Sequence, residues 1–211
     1  MMQPPDTSEL TAMPRRPDRS SSSRRRRLMD GGDLERLRRL LLERSVRRGD
    51  FVLASGRRSS YYIDCRLTTM SAEGQRLIGR LGWGAVAARA WRPRAVGGLT
   101  MGADPVAYAI AAASFGTGLV VDAFSVRKES KAHGTGRVIE GCFTDGDEVV
   151  VVEDVITSGG SAQRAAAAVE TAGGRVLGVL AVVDREEGGR AALEGEGREV
   201  VALVRAGELG L

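Results

Sequence analysis

Residues 148–161 read Glu-Val-Val-Val-Val-Glu-Asp-Val-Ile-Thr-Ser-Gly-Gly-Ser, and an alanine-rich run follows at 162–172. Four consecutive valines, Val149 to Val152, predict a strand buried on both faces. Their β-branched side chains suit a pleated surface, and the run leaves no polar face for water. The carboxylates Glu153 and Asp154 stand at the strand's end. Thr157, Ser158, Gly159, Gly160 and Ser161 then supply hydroxyls and unhindered backbone N–H groups where the alanine run starts a helix. A helix N-terminus attracts anions, because its unpaired N–H groups and the positive end of its dipole point at one spot. An acid pair followed by a phosphate cradle suits a sugar phosphate, its hydroxyls on Glu153 and Asp154 and its phosphate on the loop. The string lacks the Gly-Lys-Ser/Thr of a Walker loop and is not G-x-G-x-x-G. Taken residue by residue, it also describes an ordinary strand–turn–helix junction, with Asp154 and Thr157 as turn and cap.

A chain of 211 residues accommodates one α/β domain with a full core. No run approaches the ~18 apolar residues of a membrane-spanning helix, and the Arg-rich start lacks the apolar centre of a secretory signal. Cys65 and Cys142 stand far apart without a C-x-x-C, which indicates neither a zinc site nor a disulfide framework. A cytoplasmic, reduced protein is expected, without a membrane partner. The net charge of +4 belongs to residues 1–29, where seven arginines face Asp6, Glu9 and Asp18; the rest carries 24 basic and 24 acidic groups. A neutral domain poor in aromatics argues against a nucleic-acid partner. Only two of the 31 basic residues are lysines, Lys128 and Lys131, and the single histidine, His133, falls within the same six residues. A composition bias toward arginine accounts for the arginines but not for that cluster. Lysine is a compact charge with a tunable pKa, and histidine titrates near neutrality, so the cluster points to chemistry.

Residues 1–29 are too poor in apolar side chains to fold and are expected to be disordered, with Met29 a candidate translation start. Asp33 is placed to cap a helix carrying Leu34, Leu37, Leu40 and Leu41 on one face and ending near Gly49. Residues 51–66 read as two strands around a Ser-Gly-Arg turn. Ser71 opens a helix to about Arg89, with Glu73 in its first turn. Strands are predicted at 95–99, 119–125, 138–143, 176–183 and 199–204, and helices at 106–115 and, after the loop 184–188, to about Leu193. Strand–helix alternation over 95–183 means βαβ units, a parallel sheet and right-handed crossovers. The loops beginning at Thr100, Arg127, Thr157 and Asp184 all follow strands, so they should meet at the carboxyl edge of the sheet.

The string from Val149 to Ser161 resembles the phosphoribosyl-pyrophosphate (PRPP) motif of the type I phosphoribosyltransferases. Arg127-Lys128-Glu129-Ser130-Lys131-Ala132-His133-Gly134 resembles the catalytic loop of orotate phosphoribosyltransferase, R-K-E-x-K-x-H-G. Residues 55–64, Ser-Gly-Arg-Arg-Ser-Ser-Tyr-Tyr-Ile-Asp, resemble that family's substrate-side hairpin, and Val183-Asp184-Arg185 its base-recognition strand end. The resemblance covers about residues 33–205.

What the resemblance implies is an α/β protein of the type I phosphoribosyltransferase fold: a central, mostly parallel sheet flanked by helices, with a small N-terminal hood. The domain would span 30–211, the hood about 30–67, behind the tail 1–29. The implied reaction transfers ribose 5-phosphate from PRPP to N1 of orotate, giving orotidine 5′-monophosphate and pyrophosphate. Mg²⁺ is the implied cofactor, carried on PRPP without a dedicated protein cage. Carried over by position, Arg127, Lys128, Lys131 and His133 are the catalytic cations. Glu153 and Asp154 face the ribose hydroxyls, Thr157 to Ser161 hold the 5′-phosphate, and Thr100 and Met101 lie in the pyrophosphate loop, where a strained or cis peptide is common. Tyr61, Tyr62, Thr157 and Arg185 are implied on orotate, with Arg185 reading its carboxylate. A homodimer is implied, each catalytic loop reaching over the neighbour's site. Ala54 and Met101 stand where many relatives have lysine, and Arg57 or Arg58 is the candidate substitute. Two alternatives stay open: a phosphoribosyltransferase for another base, and a non-catalytic PRPP-sensing regulator. The regulator predicts a basic domain face and no clustering of Lys and His, and the sequence meets neither expectation.

Overall fold

The computed structural model describes residues 19–52, 58–129 and 138–211, of which 19–30 as backbone only. The valine run lies inside the sheet: strand β6 (Glu148–Ile156) pairs in parallel with β3 (Ala95–Leu99) on one side and β7 (Arg175–Asp184) on the other. All four valines are fully buried. Period-two alternation sends Val150 and Val152 into one core layer with Leu77, Ile78, Val106 and Ile110. It sends Val149 and Val151 into the other layer, against Ala162, Ala165, Ala166 and Val169. Each such burial is worth about 1.5–3 kcal/mol relative to exposure.

Beyond β3 lies β4 (Asp122–Val126), parallel, and then the short edge strand β5 (Ile139–Gly141), antiparallel. Beyond β7 lies β8 (Val200–Arg205), parallel, giving the order β5-β4-β3-β6-β7-β8. The chain therefore leaves β3 in one direction and β6 in the other. The order reverses between these two strands, and in open α/β sheets the crevice at the carboxyl ends of such strands is where ligands bind. Helices α3 (Ala72–Ala87) and α4 (Ala103–Ser114) pack on the first core layer, and α5 (Gly160–Thr171) on the second. The expected α/β class and mostly parallel sheet are thus present.

Several boundaries differ from those predicted. Helix α1 runs Arg19–Arg44; of the tail 1–29, residues 1–18 lie outside the described residues and 19–29 are helical backbone. Asp33 does not cap the helix, because it lies inside it; its carboxylate pairs with Arg80 at 3.2 Å and Arg76 at 3.7 Å on α3. The expected stripe is present, with Leu37, Leu40 and Leu41 fully buried. The helix ends at Arg44, short of Gly49, because Val46, Arg47 and Arg48 pair with Ile63, Tyr62 and Tyr61. Strand β1 (Val46–Val52) and β2 (Arg58–Ile63) thus form the hood hairpin, whose predicted turn at 53–57 lies outside the described residues. A one-turn helix, α2 (Arg66–Thr69), follows it unforeseen. Ser71 does cap α3, accepting from the Gly74 N–H at 3.1 Å, a contact worth about 1 kcal/mol. Helix α4 starts three residues before the predicted Val106, since Pro105 is tolerated in a first turn. Helix α6 (Gly189–Gly195) and a closing 3₁₀ turn, Ala206–Leu209, complete the chain.

Candidate active site

The loops after β3, β6 and β7 stand at the carboxyl edge, as the alternation predicted, and the loop after β4 starts there at Arg127; its residues 130–137 lie outside the described residues. The loop after β6 is shaped by two glycines. Gly159 has φ 85°, a left-handed conformation that side chains rarely adopt, and a Cβ there would stand 3.0 Å from the Gly189 carbonyl. The carbonyl of Thr157 accepts from Gly189 N at 3.0 Å and that of Ile156 from Arg185 N at 3.0 Å, which binds this loop to the one after β7. Helix α5 has no side-chain cap and no acid in its first turn, so its first N–H groups remain for an external acceptor. They open on a cavity of about 90 Å³ lined by Glu153, Val155, Ile156 and Thr157 to Ser161. Its size and donors suit one phosphate group. A more spacious cavity, about 810 Å³, lies along the β5 edge between Ile139, Phe143 and Ala168; volume alone does not mark the chemistry.

The acid pair splits by strand alternation. Asp154 is half-buried, and Glu153 is 5 % exposed with its Oε2 lacking a hydrogen-bond partner among the described residues. Burial, then the neighbouring Asp154 charge, pushes the Glu153 carboxyl well above the usual carboxylate range. Cys65, fully enclosed beside them, has its thiol pushed up by burial and by the charges of Asp154, Asp64 and Glu153, which makes it an inert packing residue. Across the reversal point, the Thr100–Met101 peptide is cis, in keeping with the strained or cis peptide that the family resemblance implied. Gly102 follows, and a Cβ on it would reach to 2.5 Å from Asp154 Oδ1. The loop after β3 thus approaches the β6 acid as closely as a glycine permits. The Met101 side chain is exposed.

The hood supplies the opposite wall. Arg185, 5 % exposed, lies over the Tyr61 ring at 4.6 Å. It donates to Glu187 Oε1 from Nε at 2.8 Å, is paired with the same oxygen through NH2 at 2.7 Å, and reaches Ser59 Oγ at 3.4 Å. Asp184, also buried, accepts from the Glu186 N–H and from Arg190 Nε, each at 2.9 Å, and so fixes the turn that aims Arg185. Tyr62 is adjacent to Tyr61 on a strand and therefore faces the other way, against Phe51 at 5.8 Å between ring centroids. Of the predicted cations, Lys131 and His133 lie outside the described residues. Lys128 is exposed, and Arg127 pairs with Glu140 at 3.2 Å where the loop leaves β4. Ser59 and Glu187 belong to the site's framework without having been singled out from the sequence. For Ser59 the signal was its spacing of two from Tyr61; Glu187 owes its place to the turn after β7, which only the folded chain defines.

No family model matches the chain. Individual relatives do. Orotate phosphoribosyltransferase of Aquifex aeolicus is 46% identical over 178 residues, which cover 83% of this chain and 96% of the relative. The orotate phosphoribosyltransferase of Mycobacterium tuberculosis H37Rv is 45% identical over 183 residues, covering 87% and 99%. The crystal structure of the latter enzyme in complex with PRPP matches with a TM-score of 0.72 at 42% identity, over 85% of this chain and 99% of that one. Adenine phosphoribosyltransferase of Leishmania donovani, 16% identical with a TM-score of 0.58, shares the fold. With identities of this size over nearly the whole length of the relatives, and a type I phosphoribosyltransferase fold, the chain belongs to the orotate phosphoribosyltransferase family.

Proposed function

We propose that the chain transfers ribose 5-phosphate from PRPP to N1 of orotate, producing orotidine 5′-monophosphate and pyrophosphate for pyrimidine biosynthesis. The observation that carries this reading is the meeting, at one reversal point, of a phosphate-sized cradle, an acid pair and a buried guanidinium laid on a tyrosine. The 5′-phosphate takes the N–H groups of Thr157 to Ser161. The ribose hydroxyls donate to Asp154 and to Glu153, whose Oε2 has no partner among the described residues. Pyrophosphate lies against the Thr100–Met101 loop. Orotate stacks beside Tyr61, near Thr157, with its carboxylate toward Arg185; Tyr62, on the hairpin's other face, shapes the hood rather than the ring site.

Departure of pyrophosphate leaves an oxocarbenium-like ribose and a growing negative charge. Lys131 and His133, with Arg127 and Lys128 at the loop's root, stabilise that charge; each positioned donor in a dry site is worth about 3–4 kcal/mol. Mg²⁺ would neutralise the pyrophosphate while it is bound. The residues fit such an ion: it takes oxygen ligands from PRPP and water, and the hard oxygens of Asp154 and Glu153 stand next to where the hydroxyls bind. The reading includes a cytoplasmic homodimer with the loop shared between subunits. Leu67, Met70, Met101 and Tyr108 are exposed apolar side chains, and the first three line a cavity of about 440 Å³ rimmed by Arg44, Asp64 and Arg66, a composition that supports a subunit contact. Both free cysteines suit a reducing compartment, and among the described residues no helix is long and apolar enough to cross a membrane. The test is direct: purified protein with PRPP, Mg²⁺ and orotate should deplete orotate absorbance. Turnover with uracil or a purine in place of orotate would refute the base assignment.

A further inference from the structure

One carboxylate at the reversal point has no part in the reading above. Asp104, in the first turn of α4, takes a hydroxyl on each oxygen: Thr100 Oγ1 donates to Oδ2 at 2.6 Å and Ser125 Oγ to Oδ1 at 2.7 Å. The two hydroxyls come from different places. Thr100 opens the loop after β3, and Ser125 lies on β4 just before Val126, whose carbonyl accepts from Thr100 N at 2.8 Å. Tyr108 OH is 3.2 Å from the same Ser125 hydroxyl. Arg127, the first residue past β4, closes the base of the following loop by donating its N–H to Val138 O at 2.8 Å and a guanidinium N–H to Glu140 at 3.2 Å.

An ionised carboxylate only accepts hydrogen bonds, so Thr100 has both of its donors committed, one to Asp104 and one to Val126. What the loop has left for an anion is the set of N–H groups at the start of α4, which helix geometry leaves unpaired. A negative charge this close to a pyrophosphate site repels the ligand. Its presence is understandable if its hydrogen bonds fix the geometry of the donors that do bind. We infer that Asp104 is a positioning residue: it latches the Thr100–Gly102 loop to the end of β4, so that the pyrophosphate donors and the root of the Arg127–Lys128 segment are presented as one rigid unit. The inference rests on the proposed reading of the site.

The experiment compares wild type with D104A, D104N and S125A. PRPP is varied at saturating orotate, orotate is varied at saturating PRPP, and inorganic pyrophosphate binding is followed by calorimetry. D104A should raise KM for PRPP and Kd for pyrophosphate by about 10- to 100-fold while the orotate KM stays within about twofold. D104N, which keeps one acceptor oxygen, and S125A, which leaves the Thr100 bond, should fall between D104A and wild type. A folded D104A with unchanged PRPP and pyrophosphate affinity overturns the inference. So does an equal loss in kcat and both KM values, which is what mere loosening of the fold would give. Should D104A fail to fold, S125A carries the test: unchanged pyrophosphate binding there also overturns the inference. An inactive wild type would instead refute the proposed reaction, so the two failures are distinguishable.

Discussion

Replacing Glu153 with glutamine should make the protein more stable and less active, with a stability gain that grows with pH. Glu153 is 5 % exposed, its Oε2 has no partner among the described residues, and its carboxyl is pushed above the usual range by burial and then by Asp154. A group whose pKa is higher folded than unfolded contributes stability that is complete below its unfolded value, about 4.3 for Glu. That stability is lost as pH rises through the folded value. Glutamine has nearly the same shape, never ionises, and can donate an amide hydrogen toward Asp154. The cost of a buried polar group without its partner is about 1–3 kcal/mol. At roughly 2–4 °C per kcal/mol for a chain of this size, E153Q should melt about 2–12 °C above wild type near pH 8. The two should converge near pH 4.5, about where unfolded glutamates titrate. Thermal melts across that range, without substrate, read this out. Adding PRPP with Mg²⁺ should narrow the gap, because ribose hydroxyls supply donors the wild-type carboxylate lacks, and kcat should fall in the variant. A variant less stable than wild type at pH 8, or a difference that does not change with pH, would refute the reasoning.

Two further substitutions separate the site's halves. In G102A the new methyl would stand 2.5 Å from Asp154 Oδ1; since Gly102 has an ordinary helical φ of −64°, the effect is proximity alone. KM for PRPP should rise about tenfold or more, and initial rates with PRPP and orotate varied in turn should show the orotate KM little changed. In R185K the flat guanidinium on Tyr61, paired with Glu187, becomes a point charge that can neither stack nor offer two parallel donors. The orotate KM should rise about 10- to 100-fold, as expected for a charge-assisted pair worth about 1.5–3 kcal/mol, with PRPP binding unaffected. A PRPP effect in R185K equal to the orotate effect would contradict the assignment of Arg185 to the base side.

The parts of the fold legible in the sequence are those whose signal is local. The valine run announces burial on both faces by itself, Ser71 announces a helix start, and the small-residue loop after Glu153-Asp154 announces the turn into α5. The first strand of the hairpin was read from residue 51, but its start was hidden, because Val46-Arg47-Arg48 has no periodicity of its own and becomes a strand only by pairing with Tyr61, Tyr62 and Ile63. Asp33 reads as a cap but is drawn instead to arginines on α3, a tertiary pull that outweighs a local preference. The opposed faces of Tyr61 and Tyr62 were available from the two-residue period of a strand. Asp104 and Glu187 were not, because each owes its place to a partner from another segment or to a turn that only the folded chain defines.

The reversal of strand order between β3 and β6 also bears on how the molecule assembles. Pairing within the β6-β7-β8 half joins residues moderately close in the chain, whereas β3 meets β6 only after the excursion through α4, β4 and β5. Closing such a long loop costs entropy before any contact is gained, and non-local pairing of this kind slows folding. The seam between the halves is therefore a natural line of partial opening. On the proposed reading, PRPP, with its 5′-phosphate on one side and its pyrophosphate on the other, would act as a staple across that seam. Amides of β3 and β6 should then exchange hydrogen more slowly when PRPP is bound, beyond the residues it touches. Occupancy of the site and integrity of the sheet are one equilibrium.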